Sequence, residues 1–67
     1  MLNIAILGCG RIGQVHARTI KSMPTARITA VADAFPNLAQ TLADEIGADV
    51  RTVDAIMVSD DVDAFLE

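Results

Sequence analysis

Three glycines and one aspartate are the residues of this chain whose types and spacing best suit chemistry. Residues 8–13 read Gly-Cys-Gly-Arg-Ile-Gly, a G-x-G-x-x-G segment, and Asp33 stands twenty residues beyond its last glycine. In such a loop the first glycine makes a tight turn, the second lets the backbone approach a pyrophosphate, and the third allows a helix to pack closely on a strand. The two residues before the last glycine offer N–H groups to the anion, and the carboxylate accepts ribose hydroxyls. The predicted dinucleotide site consists of Gly8, Gly10, Arg11, Ile12, Gly13 and Asp33.

Other nucleotide loops fit these residues less well. A P-loop needs Gly-Lys followed by Ser or Thr, which is missing after the first glycine, and a methyltransferase loop normally has an acid where this chain has Ile6 and Leu7. NADP is disfavoured because the charge of Asp33 repels a 2′-phosphate and residues 34–36 supply no cation. NAD is therefore the predicted cofactor, and a glycine turn with a purely structural role is the alternative.

The elements that must position these residues follow from hydrophobic periodicity. Leu2–Leu7 is a short apolar run typical of a buried parallel strand. Residues 11–23 then show helical spacing, and Pro24 ends the helix. The apolar stripe predicted to face the core on this helix is Ile12, Val15, His16, Thr19, Ile20 and Met23.

The rest of the chain continues the alternation of strands and helices. Residues 28–32 favour a second strand, which ends at Asp33, and residues 48–51 a weak third one. A helix between them begins at Pro36 and ends at Gly47, and Thr52 caps a third, short helix. Residues 62–66 look like the beginning of a fourth strand. The predicted fold is α/β: half of a Rossmann fold over residues 1–67, with the order β-α-β-α-β-α and a three-stranded parallel sheet of strand order 3-2-1, truncated near the start of strand four.

Neither catalytic nor metal-binding residues are predicted. His16 lies on the helical stripe, where a packed, hydrogen-bonded core role is favoured, and the small size of Cys9 suits a crowded turn better than it suits a nucleophile. The acids from Asp54 to Asp63 read as a solvated face rather than a divalent-cation site.

Composition and charge restrict the partners. The net charge of −4 argues against nucleic acid, although residues 1–27 carry four basic side chains and no acidic one, which places a phosphate at that end. The sequence shows neither the pattern of a signal peptide nor an apolar run long enough to span a membrane, so we expect a cytoplasmic protein. One cysteine cannot form an internal disulfide, and 52% of the 67 residues are hydrophobic. We therefore expect a homodimer that covers the apolar surface and pairs through the open edge of strand one.

The sequence also resembles a known family. Residues 5–17, 31–33, 50–51, 54–57 and 61–64 are similar to the N-terminal part of the glucose–fructose oxidoreductase and inositol dehydrogenase family. The resemblance spans nearly the whole chain and implies that the glycine loop and Asp33 bind NAD. Family members continue with a substrate domain that carries the catalytic lysine, aspartate and histidine. The resemblance thus implies a half-domain with weak NAD affinity and no dehydrogenase activity of its own, and the alternative is a structural, self-associating module without useful cofactor affinity.

Overall fold

The structure, a computed structural model, describes residues 1–66, which alternate between strands and helices. In chain order the elements are β1 (Leu2–Leu7), α1 (Arg11–Lys21), β2 (Ala26–Ala32), α2 (Pro36–Ile46), β3 (Asp49–Val50), α3 (Val53–Met57) and β4 (Ala64–Leu66). All strand pairs are parallel, and the sheet order is β3-β2-β1-β4. The α/β class, the parallel sheet and the 3-2-1 order of the first three strands are confirmed.

The sheet has a fourth strand, so the prediction of three strands is wrong. β4 runs along the outer edge of β1, where residues 4–6 pair with residues 64–66. Asn3 fixes the register, because its N–H donates to the Asp63 carboxylate (2.8 Å) and its carbonyl accepts from the Asp63 N–H (2.8 Å). A homodimer through strand one requires an open edge on β1, and β4 covers that edge over these three residues.

A salt-bridged arginine holds the turn that leads into β4. The Arg51 guanidinium donates to both carboxylate oxygens of Asp61 (2.8 Å each) and to one oxygen of Asp49 (3.0 Å). This contact holds the pKa of the Asp61 carboxyl below its usual range. Asp61 is still half-exposed, so it pairs with Arg51 while remaining on the solvated acidic face expected from the sequence. Within residues 1–66, no three His, Cys, Asp or Glu side chains lie close enough together to hold a metal ion.

Helix α1 rests on the sheet through two small residues and one isoleucine. Its buried residues are Gly13, Ala17 and Ile20. In contrast, Ile12 and Val15 of the predicted stripe are 61% and 49% exposed. Ile20 of the predicted stripe is buried as expected, but the rest of the stripe is rotated away from the sheet, because the contact of Gly13 with the preceding loop fixes which side of the helix faces inward. The helix also ends at Lys21, two residues before the predicted end.

Local end signals place the other helices as predicted. Pro36 is the first residue of α2, and Gly47 ends it. Thr52 caps α3, because its hydroxyl accepts a hydrogen bond from the Ala55 N–H (3.1 Å). Short polar and conformational signals of this kind act within a few residues, so sequence alone was sufficient to position these helix ends.

Two hydrophobic cores flank the sheet. The larger lies between the sheet and helices α1 and α2, and the smaller lies under α3 around Ile56. No helix in the described part of the chain is both long and apolar enough to cross a membrane. Because the strands are parallel, the segments that follow β1 and β2 meet at the same edge of the sheet. That edge holds the predicted dinucleotide site.

Candidate functional site

The turn after β1 has a backbone conformation that requires glycine. Gly8 has φ +100°, a value that L side chains rarely adopt, and its N–H donates to the Ala32 carbonyl at the end of β2 (2.7 Å). The turn is thereby tied to the neighbouring strand. Gly8 holds the start of the loop in place and directs the chain toward α1.

Gly13 lets α1 approach this turn closely. A Cβ on Gly13 would overlap the carbonyl oxygen of Gly8 and would also touch the side chain of Ile6. A larger residue therefore cannot occupy this position without moving the helix or the turn. The predicted role of the third glycine, close packing of helix on strand, is confirmed by this contact.

Gly10 differs from the other two glycines of the loop. Its φ of −76° suits any residue, and a Cβ placed on it would have no heavy atom within 4 Å. Nothing in the described chain demands glycine here. The absence of a side chain instead leaves open space directly in front of the first turn of α1.

The first turn of α1 presents unpaired N–H groups to this space. Gly10 is the N-cap residue without a side-chain cap, and the first turn contains no acidic residue. The first helical hydrogen bond runs from the Gln14 N–H to the Gly10 carbonyl (3.0 Å), so the N–H groups of Arg11 and Ile12 have no carbonyl partner within the helix. Together with the positive end of the helix dipole, these donors favour an anion in front of Gly10.

Asp33 lies beside the glycine loop, as predicted. One of its carboxylate oxygens accepts the Cys9 N–H (2.6 Å), and the other accepts the Phe35 N–H (2.7 Å). These two hydrogen bonds lower the pKa of the Asp33 carboxyl, so it is charged at neutral pH. The sheet therefore brings the glycine loop and the Asp33 carboxylate together, and the hydrogen bond from the Cys9 N–H joins them.

The sequence did not predict that Asp33 also holds the glycine loop in place, through its hydrogen bond with the Cys9 N–H. We call this contact the brace on the loop. An aspartate two residues before the N-terminus of a helix often accepts a nearby backbone N–H, and the sequence Asp-Ala-Phe-Pro carries that signal. The bond to Cys9 joins residues 24 positions apart. That contact had no local signal, since it depends on the pairing of β1 with β2.

The remaining candidates of this region are not arranged for nucleophilic chemistry. Burial, and secondarily the charge of Asp33, raises the pKa of the Cys9 thiol, which is only 1% exposed. The thiol is therefore protonated at neutral pH. His16 is half-buried on α1, one turn beyond the loop, so its predicted core position is only partly reached.

A cleft of about 470 Å³ lies away from these residues. Its lining includes Lys21, Ile28, Gly47, Asp49 and Arg51, which lie at or just after the ends of α1 and α2, on β2, and on or just after β3. The glycine loop and Asp33 do not contribute to it. The candidate site is thus an open surface at the loop edge of the sheet, identified by its donors and its carboxylate rather than by enclosure.

Comparisons with known proteins show which family and fold the chain is similar to. A family model described as an oxidoreductase family with an NAD-binding Rossmann fold matches residues 2–66. The inositol 2-dehydrogenase of Rhizobium meliloti (strain 1021) is 48% identical over 63 residues, which cover 94% of this chain and 19% of that protein.

Solved structures show the same arrangement of elements. A protein assigned as a myo-inositol dehydrogenase from Sinorhizobium meliloti 1021 superimposes with a TM-score of 0.96 at 46% identity, over 97% of this chain and 20% of that one. A myo-inositol dehydrogenase from Corynebacterium glutamicum ATCC 13032 gives 0.89 at 39% identity, with the same coverage. GenD2 from gentamicin A biosynthesis, solved in complex with NAD, gives 0.90 at 29% identity over 98% of this chain and 20% of that one. The chain spans about a fifth of the length of these relatives.

Proposed function

Because the chain belongs to the oxidoreductase family with an NAD-binding Rossmann fold, we propose that its glycine loop and Asp33 together hold the adenosine diphosphate part of NAD. The N–H groups of Arg11 and Ile12 face the pyrophosphate, and Gly10 leaves room for it. The Asp33 carboxylate accepts the adenosine ribose hydroxyls with the lone pairs that its two backbone contacts leave free. Gly8 and Gly13 hold the turn and the helix in the geometry that this binding requires.

One observation carries the proposal, namely the open space in front of Gly10. A structural glycine turn accounts for Gly8, through its positive φ, and for Gly13, through its contact with Gly8. It does not account for Gly10, which no atom of the described chain obliges to be glycine. A pyrophosphate in that space does account for it. The observation therefore favours cofactor binding over the structural alternative.

The same site favours NAD over NADP. The charged Asp33 carboxylate repels a 2′-phosphate at the position where it accepts the ribose hydroxyls of NAD. Residues 34–36, which follow it, are Ala-Phe-Pro and offer no cation to compensate. Arg11 is exposed at the start of α1 and belongs to the loop side of the proposed site, where its guanidinium would supplement the backbone donors to the pyrophosphate.

We further propose that the protein takes part in oxidation of a polyol such as inositol, and that residues 1–67 supply cofactor binding without the chemistry. Bound NAD would accept a hydride from the substrate carbinol, and that transfer requires a base. In the described part of the site, the lowered pKa of Asp33 makes it a weak base, and the raised pKa of Cys9 leaves the thiol protonated. Neither group is suited to take the carbinol proton.

Replacement of Gly10 by alanine tests the binding site directly. We expect NAD to bind the parent chain with a Kd of about 1 mM, since the nicotinamide half has few contacts here. Addition of NAD should shift the amide signals of residues 8–13 and 33 in an NMR titration. Gly10→Ala should keep the fold, because φ is ordinary and the space is open, yet weaken NAD binding at least tenfold (about 1.4 kcal/mol).

Gly47→Ala provides the matched control for this experiment. Gly47 has φ +73° and lies at the end of α2, away from the glycine loop. We expect this variant to lose stability but to bind NAD as the parent does. NAD binding by Gly10→Ala that equals the parent's would contradict the assignment of the pyrophosphate to this loop.

We also propose that two copies of the chain associate through the side of the molecule at β4. Gln14, Arg18 and Lys21 of α1 border a small cleft shared with α2. Ile12, on the opposite side of the helix, lies toward the edge of the sheet formed by β4, and Val15 is exposed beside it on the outer face of the helix. That side is exposed and apolar. The outer backbone groups of β4 form the sheet edge next to it.

Charge favours a second copy as the occupant of this surface. Residues 1–27 carry only basic charged side chains, whereas residues 28–67 carry nine acidic side chains and a single arginine. A basic α1 can therefore face acidic segments of the partner while apolar surface is buried.

The mass of the protein in solution tests this association. We expect light scattering to give the mass of a dimer at about 100 μM, and Val15→Lys to give that of a monomer with the fold retained. Leu38→Lys is the control, because Leu38 is also exposed but lies on α2 beside Gln14, away from β4. A monomeric parent chain would overturn the proposal.

A further inference from the structure

Phe35 is an exposed aromatic residue held in a fixed position beside Asp33. Its side chain is 68% exposed. Its backbone is nonetheless held on both sides, because its N–H donates to the Asp33 carboxylate (2.7 Å) and its carbonyl accepts from the Leu38 N–H (3.0 Å). Pro36, the first residue of α2, further restricts the chain at this point. The ring is therefore presented to solvent from a rigid backbone.

The position of Phe35 relative to Asp33 suggests what the ring contacts. If Asp33 accepts the ribose hydroxyls and the pyrophosphate lies at Gly10, the base of the nucleotide extends from the other side of the ribose, away from the glycine loop. Asp33 is followed by Ala34 and Phe35, and the Phe35 N–H lies against the Asp33 carboxylate. Among residues 34–36, Phe35 has the largest exposed apolar side chain, so it is the side chain that we expect beside the base.

We propose that the Phe35 ring stacks on the adenine of the bound nucleotide, an inference that rests on the proposed site at Gly10 and Asp33. An aromatic ring offers a flat apolar face to a purine without selecting among hydrogen-bonding edges. The rigid backbone reduces the conformational freedom lost when the base binds. The structure thus assigns three adjacent contacts to one ligand: the pyrophosphate at the loop, the ribose at Asp33 and the base at Phe35.

This assignment predicts which fragments of the cofactor bind. AMP and ADP contain the ribose and base that Asp33 and Phe35 contact, whereas nicotinamide mononucleotide lacks the adenine. We expect AMP, ADP and NAD each to lose about tenfold in affinity in Phe35→Ala, because base–aromatic stacking contributes on that order. Phe35→Leu should recover only part of the loss, since it restores apolar cover without a ring.

Phe65 provides the matched control for Phe35. The chain contains two phenylalanines and neither tyrosine nor tryptophan, and Phe65 lies 44% exposed on β4 at the far edge of the sheet. Phe65→Ala should bind AMP and NAD as the parent chain does. Circular dichroism establishes that each variant is folded before its affinity is compared.

Tryptophan replacements give a readout that depends on stacking itself. Phe35→Trp introduces the sole tryptophan of the chain, and we expect AMP to quench its fluorescence with the Kd found by NMR, while nicotinamide mononucleotide does not. Phe65→Trp should show no change with either ligand.

The outcomes separate this inference from the function on which it rests. A parent chain whose residues 8–13 do not respond to NAD overturns both. Binding by the parent with unchanged affinity in Phe35→Ala, or AMP binding without quenching in Phe35→Trp, overturns the stacking at Phe35 and leaves the site at Gly10 and Asp33 standing.

Discussion

Replacement of Gly13 by alanine is expected to lower the free energy of unfolding by about 2 kcal/mol or more. The added Cβ would overlap the carbonyl oxygen of Gly8. Backbone atoms cannot rotate out of the way as a side chain can, so either α1 moves off the sheet or the turn at Gly8 changes. Alanine regains about 1 kcal/mol of helix propensity, which offsets only part of an overpacking cost of about 3 kcal/mol. Urea unfolding followed by circular dichroism measures the difference.

This loss is large for a domain of this size, whose total stability is on the order of 3–10 kcal/mol. NAD binding should fall in the same variant, because a displaced α1 carries the N–H groups of Arg11 and Ile12 with it. Gly10→Ala serves as the control, since it should weaken NAD binding while the free energy of unfolding stays that of the parent. If Gly13→Ala is as stable as the parent, the close contact between α1 and the turn is not what positions the helix.

The rotation of α1 shows where sequence reasoning failed in the core. The predicted stripe joined the large apolar residues of the helix, such as Ile12 and Val15, on the assumption that they face the sheet. The helix instead faces the sheet through Gly13 and Ala17, because close approach requires small residues. The close-packing role expected for Gly13 already contained this information. Combined with helical periodicity, it would have placed Ala17 in the core and Val15 at the surface.

The fourth strand depends on contacts that no local pattern encodes. Residues 62–66 suggested the start of a strand, but its pairing with β1 is fixed by Asn3 with Asp63 and by Arg51 with Asp61. The first pair lies 60 positions apart in the chain. By contrast, the ends of α2 and the cap of α3 are set by residues within one turn, and the sequence predicted them correctly.

The candidate site was likewise predicted only in part from the sequence. The spacing of the glycines and Asp33 predicted that the loop and the carboxylate would meet at the ends of β1 and β2, because parallel neighbouring strands end at the same edge. That Asp33 also braces the loop through Cys9 could not be predicted, since it depends on the exact turn of the backbone after β1. Asp33 thus has a structural role in addition to the ribose contact that we propose for it.

Replacement of Asp33 by alanine is therefore expected to remove both the ribose contact and the brace on the loop. We expect NAD binding to fall about 100-fold, to a level without saturation at about 10 mM NAD, because charge-assisted hydrogen bonds to two hydroxyls are lost. NADP should bind no more weakly than to the parent chain, since the charge that repels its 2′-phosphate is gone. The preference for NAD should disappear. NMR titrations of both cofactors against both proteins measure this change.

The lowered pKa of Asp33 determines how NAD affinity should depend on pH. Its hydrogen bonds with the Cys9 and Phe35 N–H groups lower the pKa in the folded chain, so the carboxylate stays charged at pH values below the ordinary range of about 4. NAD binding uses the carboxylate of the folded chain, so the contribution of Asp33 to affinity is present above this lowered pKa and is lost as the pH falls through it. NAD affinity of the parent chain should be constant from about pH 8 to pH 5 and decrease only below about pH 4.

Asp33→Asn distinguishes the charge from the shape of the side chain. Its amide oxygen can accept only one of the two backbone N–H groups, and its NH₂ group opposes the other, so NAD binding should be weak and independent of pH. Asp61→Asn is the control, because Asp61 also has a lowered pKa but lies at Arg51, outside the site. That variant should unfold at a higher pH in acid and bind NAD normally at pH 7. NAD affinity in Asp33→Asn that matches the parent's, or that keeps the parent's decrease below about pH 4, would show that the carboxylate is not the group that holds the ribose.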